Sequence, residues 1–285
     1  MRFRTYLKDK VQNLIAKPCI DSPLYSIFPN LNVPSFTAKE IEELKENLEE
    51  EKSATDLVEE AEKHKSNQEY PQAISLLEKA RKLLPRNEFI VQRLALTTYK
   101  SKLPNELDAL VSAEHILLDL SPDKTTDPET LGLSGAINKR IFEISGDSQF
   151  LEKSLWYYSR GFFIRQDYYN GINVAFLNLL KASIENDRFI SYAAYGNANL
   201  TRKKVVEICG QIIAEKTFKN RDDKHWIYLT LAEAHYGLGD FELYEQYNSL
   251  AKENGSDEFS LASYSEQLAK IEKADNDFKA KWSIH

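Results

Sequence analysis

Alanines recur at a fixed spacing in the first third of the chain, and this spacing limits the possible folds more than any other feature. Ala61, Ala73 and Ala80 lie 12 and 7 residues apart, and Pro85 follows five residues later. Two antiparallel helices cross closely only where a small side chain lets their backbones approach, and a proline ends the second helix. The pattern therefore predicts a helical hairpin between Ala54 and Asn87.

A second hairpin of this kind is recognisable near the other end of the chain. Ala232 and Ala251 keep the same offsets, with Gly239-Asp240 at the turn. A unit of about 34 residues with this spacing is typical of a tetratricopeptide repeat. Three less regular hairpins lie between the two, pairing residues 94–96 with 112–113, 131–144 with 151–163, and 172–181 with 203–214. The sequence predicts an all-α, tetratricopeptide-like α-solenoid of about five helical hairpins.

The segments outside these hairpins complete the predicted organisation. Residues 1–36 are predicted to hold an amphipathic helix and a Pro-rich extended segment, either the tail of a preceding domain or an arm that packs in cis. Residues 37–285 are predicted to form one regulatory domain. The Tyr-, Gly- and Asn-containing stretch from Phe189 to Leu200 is predicted to be a long loop. The helical pattern from Glu258 to Trp282 is predicted to cap the stack.

Composition excludes several classes of protein. A net charge of −7 argues against non-specific nucleic-acid binding by the whole surface. The sequence has no run of 18 apolar residues, so no membrane span is expected. Two cysteines are too few for a disulfide framework, which favours a cytoplasmic protein. Cys209 lies among valines and isoleucines, so it is expected to be a small buried hydrophobe instead of a nucleophile.

Sequence signatures of catalysis are absent. The chain has no phosphate-binding glycine loop, no dinucleotide fingerprint, no nucleophile elbow and no histidine pair or cysteine cluster at zinc spacing. We therefore expect no enzyme activity, no metal and no cofactor.

A group of polar side chains near two helix starts is the main candidate site. Lys139 and Arg140 end the stretch DPETLGLSGAINKR, and Tyr169 and Asn173 flank the start of a later helix at Asn170. A helix N-terminus flanked by cations and tyrosines is a reasonable site for an anion or a nucleotide. The alternative is that these are ordinary packing and capping residues.

Three motifs carry a resemblance to a known family. Asp127 to Arg140 (DPETLGLSGAINKR), Tyr168 to Ala175 (YYNGINVA) and Trp226 to Asp240 (WIYLTLAEAHYGLGD) resemble the central, TRAF-binding regulatory region of apoptosis signal-regulating kinases. These are mitogen-activated kinase kinase kinases, and the resemblance extends to their bacterial relatives and covers roughly residues 53–257. It implies a regulatory sensor coupled to a kinase, TIR or caspase-like effector in stress or antiviral immune signalling, with an NAD-derived nucleotide as the signal.

The resemblance also implies one ligand site made of three kinds of side chain. Cations would face phosphates, aromatic rings would stack a base, and polar groups would hold ribose or amide groups. The cations are Lys139, Arg140 and Arg160. The aromatic residues are Tyr169 and Trp226, and the polar groups belong to Asn173 and Glu233. The alternative function is a protein-interaction scaffold that binds a peptide or partner domain in the solenoid groove, and a homo-oligomer is compatible with either. Convergence of the three cations on one pocket would favour the sensor, and their scatter over separate surfaces would count heavily against it.

Overall fold

The structure of this chain, a computed structural model, describes residues 38–255 and 258–284, and within these ranges all regular structure is helical. The helix predicted at residues 2–16, the Pro-rich segment and the boundary predicted between residues 36 and 37 lie outside the described residues. The chain divides into two units between Lys52 and Ser53. The packing described below concerns the second unit, from Ser53 onward.

Eleven α-helices lie in the described residues, connected by short turns and two 3-10 segments, Leu118–Leu120 and Lys216–Asn220. The helices are α1 (Ala38–Ser66), α2 (Tyr70–Leu83), α3 (Glu88–Ser101), α4 (Glu106–Leu117), α5 (Pro128–Ser145), α6 (Ser148–Arg165), α7 (Tyr168–Ile184), α8 (Arg188–Ala214), α9 (Lys224–Leu238), α10 (Phe241–Glu253) and α11 (Glu258–Trp282).

Consecutive helices from α1 to α10 form five hairpins, so the predicted α-solenoid is confirmed. The alanines that predicted the first hairpin, Ala61, Ala73 and Ala80, are almost fully buried in one cluster with residues of α2 and α3. Gly146 and Gly239 end α5 and α9 with φ angles of 70° and 80°. This left-handed conformation favours glycine and turns the chain into the second helix of each hairpin.

The first helices of successive hairpins contact one another in the order α3, α5, α7 and α9. We call these four helices the inner row. Val174 and Leu177 of α7 join the largest core cluster. The inner row is the element that brings the predicted site residues together, because α5, α7 and α9 carry six of the seven.

The predicted loop from Phe189 to Leu200 is wrong, because α8 begins at Arg188 and includes the whole segment. The Asp187 side chain accepts a hydrogen bond from the backbone N–H of Ile190 and so caps the helix. Ser191 and Ala194 are buried, and the Ser191 hydroxyl donates to the Ala182 carbonyl of α7 at 2.6 Å. The small residues that made the segment resemble a loop instead let α7 and α8 approach closely.

The helix that was predicted to cap the stack, α11, lies against the inner row. It packs against α7 and α9. Tyr264 joins an apolar cluster with Leu229 of α9, and Phe278 joins another with Ala182 of α7. These contacts remove the apolar face of α11 from water.

Two expectations from composition can be compared with the structure. Cys209 is buried in an apolar cluster with Val205 and Ile227, and burial raises the pKa of its thiol to about 12, as expected for an inert core residue. Among the described helices, none combines the length and the hydropathy that crossing a membrane requires.

Asp127 caps the start of α5, and its contacts lead to a stability prediction. One carboxylate oxygen of Asp127 accepts hydrogen bonds from the backbone and hydroxyl of Thr130 and from the Gln92 amide of α3. Asp127→Ala removes all three, so we expect a loss of about 1–2 kcal/mol in urea unfolding. The matched control is Asp147→Ala at the exposed start of α6, for which we expect a smaller loss. Equal losses would contradict a role for Asp127 in joining α3 to α5.

Candidate functional site

Lys139 and Asn173 are in direct contact at the centre of the inner row. The Lys139 ammonium donates a hydrogen bond of 2.8 Å to Asn173 Oδ1 and lies 5.7 Å from the centre of the Phe176 ring. The Asn173 amide in turn donates to the backbone carbonyl of Tyr169 at 2.9 Å. Two of the predicted residues, on α5 and α7, therefore form one hydrogen-bonded group.

Glu233 of α9 interacts electrostatically with Lys139 of this group. Burial raises the pKa of its carboxyl to about 7, while the positive charges of Lys139 and Arg202 act in the opposite direction. Burial likewise lowers the pKa of Lys139, and the carboxylates of Glu143 and Glu233 oppose that shift. We call Lys139, Asn173 and Glu233 the polar cluster, since three adjacent helices contribute one charged or amide group each.

Arg140 lies beside the polar cluster but is already paired. Its Nε donates to Glu106 and its Nη1 to Glu143, each at 2.7 Å. The hydrogen bonds that Arg140 donates to these carboxylates raise the pKa of its guanidinium above the usual value. Glu143 also accepts a hydrogen bond of 2.7 Å from Lys270 of α11. For Arg140 to face a phosphate, that anion would have to replace one of the two carboxylates.

Tyr169 connects the polar cluster to a cavity of about 730 Å³ at the beginnings of α5 and α7. Its ring is 47% exposed, packs against Gly132 and lines this cavity together with Arg165 and Lys204. The cavity lies at the start of this helix, and its lining also includes the carboxylates Glu129, Asp167, Glu215 and Asp223. Asn173 does not line it, because its side chain is directed to Lys139.

Trp226 lies on the same face of α9 as Glu233 but further along the helix. The two residues are seven positions apart, or two turns, which corresponds to about 10 Å along the axis. The indole is 40% exposed and its nearest ring neighbour is His225. A ligand in contact with both Trp226 and the polar cluster would therefore have to be extended.

Arg160 does not join the other cations. Its guanidinium donates to the backbone carbonyls of Pro122, Asp123 and Thr125 at 2.9–3.1 Å and lies over the Trp156 ring. These bonds hold the connection between α4 and α5. The three predicted cations therefore do not converge on one pocket: Lys139 and Arg140 are neighbours, and Arg160 serves another part of the fold.

Several residues of this region could not be found from sequence. Tyr99 of α3 is largely buried near Tyr169 and Arg140, and burial raises its pKa. Arg202 of α8 is 1% exposed and packs on Gly237, and its Nε and Nη2 have no hydrogen-bond partner among the described residues. Gln267 and Lys270 reach Glu233 and Glu143 from α11. Residues that are this far apart in the chain can contact each other without producing a recognisable spacing in the sequence.

Comparison with known proteins identifies the kind of repeat. Residues 69–178, which run from α2 into α7, match the family model described as Tetratricopeptide Repeats-Sensor. No curated protein matches the chain. Among solved structures, a thermophilic TPR protein from Thermus thermophilus is similar, with 14% identity and a TM-score of 0.52 over 76% of this chain and 99% of that one. The chain therefore contains a tetratricopeptide-like region, and its fold is that of a tetratricopeptide α-solenoid.

Proposed function

We propose that this chain is a cytoplasmic, non-enzymatic sensor module whose inner row binds a nucleotide-like, NAD-derived ligand and thereby controls an effector. The observation that carries the proposal is the half-buried ammonium group of Lys139. Among the described residues it donates one hydrogen bond, to Asn173, and no carboxylate lies within ion-pair distance of it. Glu143 and Glu233 interact with this charge only over longer distances, so an anion that reaches Lys139 would add a direct, charge-assisted contact.

The side chains around Lys139 match the other parts of a nucleotide. Asn173 and Glu233 offer amide and carboxyl groups of the kind that bind ribose hydroxyls or a carboxamide. Tyr169 offers a half-exposed ring on which a base can stack. Arg140 would strengthen phosphate binding by exchanging a carboxylate partner. Arg160 is left out of the proposed site, and Trp226 would take part only with an extended ligand.

The effector and the pathway rest on sequence similarity. The family match over residues 69–178 supports a sensor role, and the resemblance to the regulatory region of signal-regulating kinases supports coupling to a kinase, TIR or caspase-like effector. Stress or antiviral immune signalling is the setting that this resemblance favours. The solenoid would transmit binding because α5, α7 and α9 are packed in series and share the proposed site.

Ligand-induced stabilisation tests the proposal. We expect NAD, ADP-ribose, a cyclic ADP-ribose isomer or a cyclic dinucleotide to raise the melting temperature of the full chain. At 100 times its Kd, a ligand adds about 2.7 kcal/mol of stability, which amounts to several degrees for a chain of this size. Lys139→Met keeps the apolar stem and removes the charge, so it should abolish the shift. The titration would be repeated by calorimetry to obtain the affinity.

The control is Lys153→Met, which removes an exposed lysine of α6 outside the site. This variant should respond to the ligand as the unmodified chain does. The proposal fails if none of the nucleotides shifts the melting temperature. It also fails if Lys139→Met and Lys153→Met respond alike.

A further inference from the structure

The face of α11 that covers the inner row has the residue spacing of a helix that binds in a groove. Its contacting positions alternate at intervals of three and four residues along the whole helix. They are Leu261, Tyr264, Leu268, Ile271, Asp275, Phe278 and Trp282. Such spacing aligns side chains in one stripe, which is how an amphipathic helix presents its anchors to a receiving surface.

The apolar anchors of α11 enter separate parts of the solenoid. Tyr264 packs among side chains of α9 and α10, and Ile271 packs in the cluster that contains Val174 and Leu177 of α7. Near the end of the helix, the ring of Phe278 is stacked on Tyr195 of α8, with the ring centres 4.2 Å apart. The solenoid therefore offers a continuous apolar groove about as long as α11.

Polar contacts give this groove a charge preference. Two carboxylates of the inner row, Glu143 and Glu233, accept hydrogen bonds from Lys270 and Gln267 of α11 at 2.7 and 3.2 Å. Burial and ion pairing hold Glu143 in contact with both Arg140 and Lys270. A helix that binds here therefore needs a cation opposite Glu143 and a donor opposite Glu233, in addition to apolar anchors.

We infer that the inner row is a helix-binding groove, that α11 is its intramolecular occupant, and that α11 excludes an amphipathic helix of the effector. The partner helix has apolar residues at intervals of three and four and a lysine or arginine near its centre. This interaction surface extends beyond the proposed ligand site but shares Glu233 with it, and the effector named here rests on the proposed function. It is a specific version of the alternative function, a scaffold that binds a partner in the solenoid groove.

Because α11 is attached to the chain that forms the groove, a free helix must compete with it for binding. A segment joined to its binding surface by a short connection competes at an effective concentration in the millimolar range. Residues 254–257 are all that separate α10 from α11. A free helix with the same contacts will therefore bind the unmodified chain weakly, and it will bind much more tightly once the attached α11 is loosened.

The experiment uses a fluorescent synthetic peptide of residues 258–284 and the full chain in two forms. Lys270→Glu in the protein puts a carboxylate beside Glu143, which weakens the attached α11 but leaves the groove intact. By fluorescence anisotropy, we expect the peptide to bind this variant at least tenfold more tightly than the unmodified chain. The control is Lys273→Glu, which changes a lysine that is 78% exposed on the same helix and should leave peptide binding unchanged.

Hydrogen exchange gives a second readout on the same proteins. In Lys270→Glu, the α11 amides should exchange faster while the α7 amides stay protected, which shows that the groove remains folded. If that variant does not fold, Ile271→Ala replaces it, since it removes one apolar anchor without adding charge. Equal peptide affinity for the loosened and unmodified chains, or no binding to either, overturns the inference. A nucleotide shift that persists in that case leaves the proposed ligand site intact.

Discussion

Gly135→Ala is expected to destabilise the fold by about 3 kcal/mol, a large effect for the addition of one methyl group. A Cβ atom at this position of α5 would lie 2.5–2.8 Å from three atoms of the Tyr158 ring. That ring is 1% exposed and belongs to the largest core cluster, so it has little room to move. Ser154 also donates to the Gly135 carbonyl at 2.7 Å, which fixes the separation of α5 and α6. Overpacking of this kind costs about 1–3 kcal/mol or more.

Urea unfolding of the variant and of a matched control measures this effect. Gly196→Ala makes the same change in the interior of α8, where an added Cβ meets no atom within 4 Å. That control should gain about 0.5–1 kcal/mol, because alanine loses less backbone entropy than glycine in a helix. A Gly135→Ala variant as stable as the unmodified chain would contradict the close contact between α5 and α6.

Glu233→Gln is expected to stabilise the chain above pH 7 and to have little effect near pH 4. Burial raises the pKa of Glu233 in the folded chain from 4.5 to about 7, so between these values the folded state holds a proton that the unfolded state has lost. Stability from this group is therefore complete below pH 4.5 and falls as the pH rises towards 7. The loss is on the order of 3 kcal/mol, and a neutral glutamine avoids it.

Chemical unfolding at pH 5, 6, 7 and 8 tests this expectation. The difference between Glu233→Gln and the unmodified chain should grow with pH and level off above pH 7. Glu242→Gln changes an exposed glutamate of α10 and should give a constant, small difference. Parallel stability curves for Glu233→Gln and the unmodified chain would show that the carboxyl of Glu233 is not buried in the folded state.

The hairpins could be predicted because their requirements are local. Ala73 and Ala80 have small side chains, and these let helices α1 and α2 approach each other. Gly146 follows α5 because the chain needs a left-handed backbone conformation there. The segment of α8 from Phe189 to Leu200 could not be assigned in this way. Its small residues serve packing against α7, and composition alone does not distinguish a packed helix from a loop.

The candidate site was only partly predictable, because the type of a residue does not reveal which group its side chain will contact. Lys139, Asn173 and Glu233 were named from motifs, and the structure brings them together. Arg160 of α6 was named for the same site, yet its guanidinium donates to three backbone carbonyls elsewhere in the fold. These carbonyls lie 35–38 residues away in the chain, and Lys270 lies 127 residues from Glu143. Pairings at such distances depend on the assembled fold.

The end of α11 provides an intrinsic optical signal for its own position. The Trp282 indole donates a hydrogen bond of 2.8 Å to the hydroxyl of Ser191, with the Tyr192 ring nearby. The other two tryptophans, Trp156 and Trp226, lie on α6 and α9 and can be replaced by phenylalanine. Indole emission moves to longer wavelength in water, so in that variant a red shift would report departure of the terminal helix in real time, without any attached dye.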